Sequence, residues 1–129
     1  MTSNRYKYPA LIFLLWLIWV ALPIGNRGLW APDEPRYLQV AWEMVSNQSF
    51  LIPVMNAELY SHKPPLFFWL TMLMANIVPF EEASRWVSAL MSMGTLWLTF
   101  LIGKRVKNEG VGFTASLLLM TCGLYIWLM

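Results

Sequence analysis

The hydrophobic and polar positions of this chain fall into long apolar runs separated by short polar breaks. Four runs stand out: Tyr8 to Ile24, Leu66 to Phe80, Trp86 to Gly103 and Val111 to Met129. They are not equivalent in length. A bilayer core about 30 Å thick needs roughly 17 to 25 helical residues, which the first, third and fourth runs supply. Leu66 to Phe80 offers 15 residues, roughly 22 Å at about 1.5 Å per residue, and is bracketed by Pro64-Pro65 and Pro79. It is therefore expected to lie along an interface rather than to cross.

The polar breaks set the expected topology. Arg5 and Lys7 precede the first run and Lys104, Arg105 and Lys107 lie between the last two, whereas residues 26–85 carry Arg27, Arg36, Lys63 and Arg85 beside Asp33, Glu34, Glu43, Glu58, Glu81 and Glu82. Lysine and arginine concentrate in cytoplasmic loops. The expected organisation follows: residues 1–25 are a cytoplasmic N-terminus and first span, 26–85 a periplasmic loop with juxtamembrane helices over about 35–46 and 65–79, 86–103 a span, 104–110 a cytoplasmic loop, and 111–129 a span. The first run is read as a retained span rather than a cleaved signal, because only "LPIGNRG" follows it where small cleavage-site residues would be needed. The Asn26-Arg27-Gly28 turn gives it a stop. The last run reaches Met129 without flanking polar residues, as expected for a fragment of a larger multi-span protein.

Composition agrees with this pattern. The chain is 58% hydrophobic with mean hydropathy +0.52 and only 12% charged residues, so a water-soluble domain would have to expose much of its apolar surface. The expected class is all-α integral membrane, with the lipid bilayer as a partner. A formal net charge of +2 with scattered basic residues makes no nucleic-acid stripe. Cys122 is the only cysteine, which excludes an intrachain disulfide.

Two constellations interrupt this apolar chain with chemistry. In "GLWAPDEPRYLQVAWEM", Pro35 suits a first helical turn and Leu38, Ala41, Trp42 and Val45 recur at helical spacing. Asp33 and Glu34 sit at that helix start, where an acid caps free N–H groups and meets the helix dipole. Partly desolvated beside Arg36, the same carboxylates can also act as a general base or orient a polar substrate. In "AELYSHKPPLFFWL", Lys63 precedes two prolines, is biased towards extended backbone and is held at the interface. An anionic lipid phosphate suits a compact cation there; a lysine snorkelling beside Phe67, Phe68 and Trp69 is the plainer account. His62 is the only histidine and can ligate a metal or titrate, though lone histidines usually do neither. Arg85 in "EEASRW" fits an interfacial anchor.

Asp33-Glu34-x-Arg36-Tyr37, then Lys63-Pro64-Pro65 before an aromatic-rich helix, then Arg85 and "RWVSALMSMGTLWLTFLIGKR" together resemble the N-terminal part of the bacterial membrane glycosyltransferases related to aminoarabinose lipid A transferase and the protein O-mannosyltransferases. The resemblance implies a GT-C-like N-terminal fragment with three transmembrane helices and juxtamembrane helices in the first periplasmic loop, in the bacterial inner membrane. It implies transfer of a sugar from a polyprenyl-phosphate donor to a lipid, glycan or protein acceptor at the periplasmic face. By position, Asp33 resembles the catalytic carboxylate, Glu34 and Arg36 its neighbours in the motif, and Lys63 the residue near the carrier phosphate; Tyr37 and His62 are additional candidates. Two positions depart from the pattern. Pro35 stands where relatives often carry a small or polar residue, and His62 where many carry a glutamate that is a candidate metal contact. No metal site and no cofactor is expected.

The charge logic of such a transfer is simple. Lys63 with Arg36 or Arg85 can stabilise charge growing on the departing phosphate, and Asp33 can take the proton of an attacking hydroxyl or, for an acceptor that is already anionic and needs no base, position it or stabilise an oxocarbenium-like centre. The alternative is a non-catalytic membrane anchor or lipid-binding module. A transport module would carry ionisable residues inside its spans, and the apolar runs Pro9 to Ile24, Trp86 to Gly103 and Val111 to Met129 contain none.

Overall fold

The computed structural model describes residues 6–26, 28–29 and 32–122, and the chain divides into two compact units: Met1–Pro23 with Ser88–Met129, and Ile24–Val87.

In the first unit, α1 (Lys7–Trp16) is apolar throughout and continues into a π-helical turn, Leu17–Ala21. Ile12, Trp16, Val20 and Ala21 are its buried residues. The Trp16 indole N–H donates to the Ala89 carbonyl at 3.2 Å and to Ser92 Oγ at 3.1 Å. That pairing satisfies a polar group which hydrocarbon could not. The long helix α4 (Phe80–Val106) has Glu81 and Glu82 in its first turn and Lys104 and Arg105 in its last, each sign matching the nearer end of the helix dipole. Its last turns pair with α5 (Glu109–Met120), whose first turn is capped by Asn108 Oδ1 accepting from the Val111 N–H at 3.0 Å. The two helices run antiparallel and approach until backbones touch. A β-carbon on Gly103 would lie 2.6 Å from the Gly112 Cα, and one on Gly112 would lie 2.4 Å from the Phe100 carbonyl oxygen. Further along, the buried Ser116 hydroxyl donates to the Leu96 carbonyl at 3.0 Å. Small residues and short hydroxyls are what helix pairs use where burial from water supplies no drive. Helix α5 also packs against α1, where the Tyr8 and Phe113 rings meet at 5.1 Å.

The second unit contains a 3-10 turn, Ile24–Asn26, then α2 (Asp33–Ser46), a two-residue-per-strand hairpin of β1 (Val54–Met55) and β2 (Glu58–Leu59), α3 (Pro65–Met74) and the first turns of α4. The strands pair antiparallel, Val54 with Leu59 and Met55 with Glu58. Val40, Ala41 and Met44 of α2 form a small core with Tyr60 and Phe68. Pro64 is extended (φ −67°, ψ 153°) and Pro65 opens α3, where its missing N–H leaves no bond unmade.

The expected helices are present with shifted edges. The helix expected over 35–46 starts at Asp33, and the one expected over 65–79 ends at Met74 in a turn. The buried stripe of α2 is corrected too. Leu38 and Ala41 are buried as the spacing predicts, but Trp42 and Val45 are exposed, and Val40 and Met44 take the covered face. Both faces of this helix are apolar, so periodicity alone could not say which one Phe68 and Tyr60 would cover. The span expected over 86–103 is part of a 27-residue helix, about 40 Å long.

Among the described residues, two helical segments, Lys7–Asn26 and Phe80–Val106, are long and apolar enough to cross a membrane. Helix α5 has 12 residues, and the rest of the span expected over 111–129 lies largely outside the described residues, as do Arg5 and Arg27. The hairpin was not expected from the sequence.

Candidate functional site

The chemistry-bearing residues of the second unit gather where the start of α2 meets the chain leading into α3. Pro32 is the N-cap of α2 and offers no side-chain acceptor, so Asp33 is the first helical residue and not the cap. Its carboxylate, 59% exposed, lies 3.6 Å from Arg36 Nη1. An exposed pair of this length contributes little to stability, which leaves the carboxylate available for other work. The adjacent Glu34 is placed differently.

Glu34 faces Arg85. Both Nε and Nη2 of Arg85 donate to Glu34 Oε2, at 3.1 and 2.9 Å, while Nη1 donates to the Ile24 carbonyl at 3.0 Å and Nη2 also to the Gly28 carbonyl at 2.9 Å. Arg85 is only 5% exposed. The side chain expected as a phosphate contact thus has its donors spread over a carboxylate and two main-chain oxygens, joining three segments of the unit. The structure brings Glu34 and Arg85 together and sets them in a different arrangement from Asp33 with Arg36.

Lys63 is held by aromatic faces. Its Nζ sits 3.8 Å from the Tyr37 ring centroid and 4.4 Å from that of Phe67, and these two rings meet edge to face. Tyr37 therefore carries a role in shaping the lysine's surroundings. A cation over two π-faces keeps electrostatic stabilisation that a dry apolar pocket would deny it. Burial nonetheless lowers the Lys63 pKa below 10.5, opposed by the Asp33 charge, which raises it. Burial raises the pKa of Tyr37 above 10.0, with Asp33 adding to the rise and Arg36 opposing it. Tyr60 is likewise raised, first by burial and then by Tyr37, with the Arg36 charge pulling the other way. These mutual influences bind Asp33, Arg36, Tyr37, Tyr60 and Lys63 into one electrostatic neighbourhood. One carboxylate and two cations there share a partly covered surface with two phenols.

Two members were missed in the sequence. Tyr60 stands three residues before Lys63 and is buried against Phe68; the signal was an aromatic residue in a short polar stretch. Phe67 was read as part of a belt, although its position four residues after Lys63, past two prolines, lets the chain fold its ring back over the ammonium. His62 is exposed, with its ring 5.3 Å from that of Tyr60. Among the described residues no three His, Cys, Asp or Glu side chains gather as a metal cage requires.

The chain thus combines helical segments long and apolar enough to cross a membrane with a neighbourhood of one carboxylate and two cations, and its sequence is similar to those of known membrane glycosyltransferases. The chain is 31% identical over 122 residues to an undecaprenyl phosphate-alpha-4-amino-4-deoxy-L-arabinose arabinosyl transferase of Pseudomonas savastanoi pv. phaseolicola (strain 1448A / Race 6), covering 93% of this chain and 23% of that protein. Enzymes of the same name are similar in Shewanella sediminis (strain HAW-EB3), 29% identical over 84% of this chain and 20% of the relative, and in Pseudomonas fluorescens (strain Pf0-1), 33% identical over 92% and 22%. The resemblance to GT-C-like membrane glycosyltransferases read from the motifs is therefore supported along nearly the whole chain. The chain spans between a fifth and a quarter of the length of these curated relatives. No family model matches it. No solved structure matches it either.

Proposed function

We propose that this chain forms part of a glycosyltransferase that moves a sugar from a polyprenyl-phosphate carrier to an acceptor at the periplasmic face of the bacterial inner membrane. The observation that carries the reading is the Lys63 ammonium seated over Tyr37, in the same helical turns as the Asp33–Arg36 pair, in a chain similar to transferases named for undecaprenyl phosphate. Lys63 and Arg36 contact the carrier phosphate. The acceptor hydroxyl loses its proton to Asp33 and its oxygen bonds to the anomeric carbon. As the bond from that carbon to the phosphate oxygen breaks, its electron pair stays with the phosphate, where the two cations stabilise it. Glu34 and Arg85 have positioning roles: their ion pair fixes the first turn of α2, and with it the attitude of Asp33.

Asp33→Asn in the full-length enzyme tests this directly. Because Asp33 is not the cap of α2, the change removes the base, one charge near the helix dipole and the exposed pair with Arg36, none of which holds the helix together. Transfer is expected to fall at least about a hundredfold, the lower end for general base catalysis, with thermal stability unchanged. Wild-type turnover would reduce Asp33 to a dipole partner.

The three-span arrangement belongs to the same proposal, with residues 26–85 periplasmic, 104–110 cytoplasmic and 111–129 completing the third span. Its support is the Lys104, Arg105 and Lys107 cluster and the 10-residue length of α3. Cysteines introduced at Glu81 and Asn108 should be labelled by an impermeant reagent from opposite sides, Glu81 from outside. Labelling of both from one side would overturn the topology.

A further inference from the structure

The hairpin before Lys63 cannot hold its own shape. Two residues per strand are far fewer than an isolated hairpin needs in water, and its two turn residues, Asn56 (φ 54°) and Ala57 (φ 65°), are both left-handed. A turn of this type favours Asn-Gly; Asn tolerates the conformation, but the Ala57 β-carbon crowds the backbone. The compensation comes from α2. Glu43 accepts the Asn56 backbone N–H with both carboxylate oxygens, at 3.1 and 2.9 Å, while Gln39 Nε2 donates to Asn56 Oδ1 at 2.8 Å and to Glu43 Oε1 at 2.9 Å. Gln39 and Glu43 stand one turn apart on α2, so the helix presents them together as a two-pronged clasp. The far end of the hairpin is closed by the Tyr60 N–H donating to the Pro53 carbonyl at 2.9 Å, and Lys63 follows three residues later.

We infer that Gln39 and Glu43 are positioning residues for Lys63: by clasping a strained turn they fix where the hairpin releases the chain, and so hold the ammonium against Tyr37 and Phe67. Strained backbone of this kind persists only where its surroundings over-determine it. The same helix carries Asp33, Arg36 and Tyr37 at its start, so the clasp references the lysine to the element bearing the carboxylate. The inference rests on Lys63 being the carrier-phosphate contact only for its effect on binding. The effect on the lysine's placement stands by itself.

The test uses both readouts on the protein in lipid nanodiscs. After reductive 13C-methylation, the Lys63 methyl signal, assigned by its loss in Lys63→Arg, is expected upfield from ring currents of Tyr37 and Phe67. Glu43→Ala should return it to the position of an exposed lysine. Glu43→Gln, which keeps an acceptor, should preserve most of the displacement, and Ala57→Gly added to Glu43→Ala should restore it by relaxing the turn. An unmoved signal in Glu43→Ala, or one that Ala57→Gly does not restore, overturns the inference. In parallel, Glu43→Ala should weaken affinity for undecaprenyl phosphate by roughly three- to tenfold, the size of a modest coupling between neighbours, and have no effect in a Lys63→Met background. If the signals behave as expected while Lys63→Met alone leaves affinity unchanged, the phosphate role of Lys63 falls and its positioning by the clasp stands.

Discussion

In the unit of Met1–Pro23 and Ser88–Met129, α4 and α5 are joined by the absence of side chains, Gly103 against Gly112 with the Phe100 carbonyl close over the second glycine. In the unit of Ile24–Val87, the join is a charge: Arg85 gathers Glu34, Ile24 and Gly28 around one guanidinium. Under the proposed function, the difference follows from what each unit does. Apolar helices gain little from hiding one another in lipid, so fit and a few interhelical hydrogen bonds decide their pairing. A segment that presents a carboxylate and cations to a polar substrate, as the proposed function has it, needs directional bonds to hold them at fixed attitudes.

Substitutions can break that contrast. The largest effect is expected from Arg85→Met, which keeps much of the apolar stem but leaves Glu34 and two carbonyls without this partner. Removing one member of a buried pair costs about 3 kcal/mol or more, readable as a lowered unfolding midpoint and as faster amide exchange at the start of α2. Unaltered exchange there would mean that the unit is held by its apolar core instead. Gly112→Ala should come next. Its methyl group would fall 2.4 Å from a main-chain oxygen that cannot rotate aside, so α4 and α5 must separate, at about 1 to 3 kcal/mol for overpacking. Ala at Gly94, where nothing lies within 4 Å, is the control and should be neutral or slightly stabilising. Equal losses at both positions would remove the argument from shape.

The smallest effect sharpens the charged side. Burial disfavours the Lys63 ammonium, so in the folded protein its proton leaves below pH 10.5. Affinity for the carrier phosphate should hold at neutral pH and fall as pH rises through that lowered value. Lys63→Arg, whose guanidinium stays charged throughout, should abolish this alkaline limb even if its planar fork binds less tightly. The linked stability change has the opposite sign. The folded state loses its proton first, so between the lowered pKa and 10.5 the unfolded chain binds more protons and stability rises. A limb that persists unchanged in Lys63→Arg belongs to another group.

The parts of this molecule legible in its sequence were those specified by neighbours along the chain. Pro64 and Pro65 announced the start of α3, and the apolar runs announced the long helices. The cluster of Asp33, Arg36 and Lys63 was readable only through resemblance, since no periodicity links position 33 to position 63. Arg85 and Glu34 are 51 residues apart, and the eye sees an anchor in one and a helix-dipole partner in the other. The hairpin was hidden because Ala57 is the wrong residue for its turn; the information that forces it sits in Gln39 and Glu43, on another element.

The π turn of Leu17–Ala21 carries a consequence for how this chain can vary in length. Buried positions spaced by four, Ile12, Trp16 and Val20, creep around an α-helix by about 40° at each step, and a wider turn takes up that creep by holding one residue more than the regular helix would. Deleting a single residue within Leu17–Ala21 should restore regular winding and leave the two ends of the helix in nearly the same phase, because the wide turn already absorbs the extra residue. The same deletion in the regular turns of Lys7–Trp16 would instead swing the ends by about 100° relative to one another, so the first helix tolerates a change of length at one turn only.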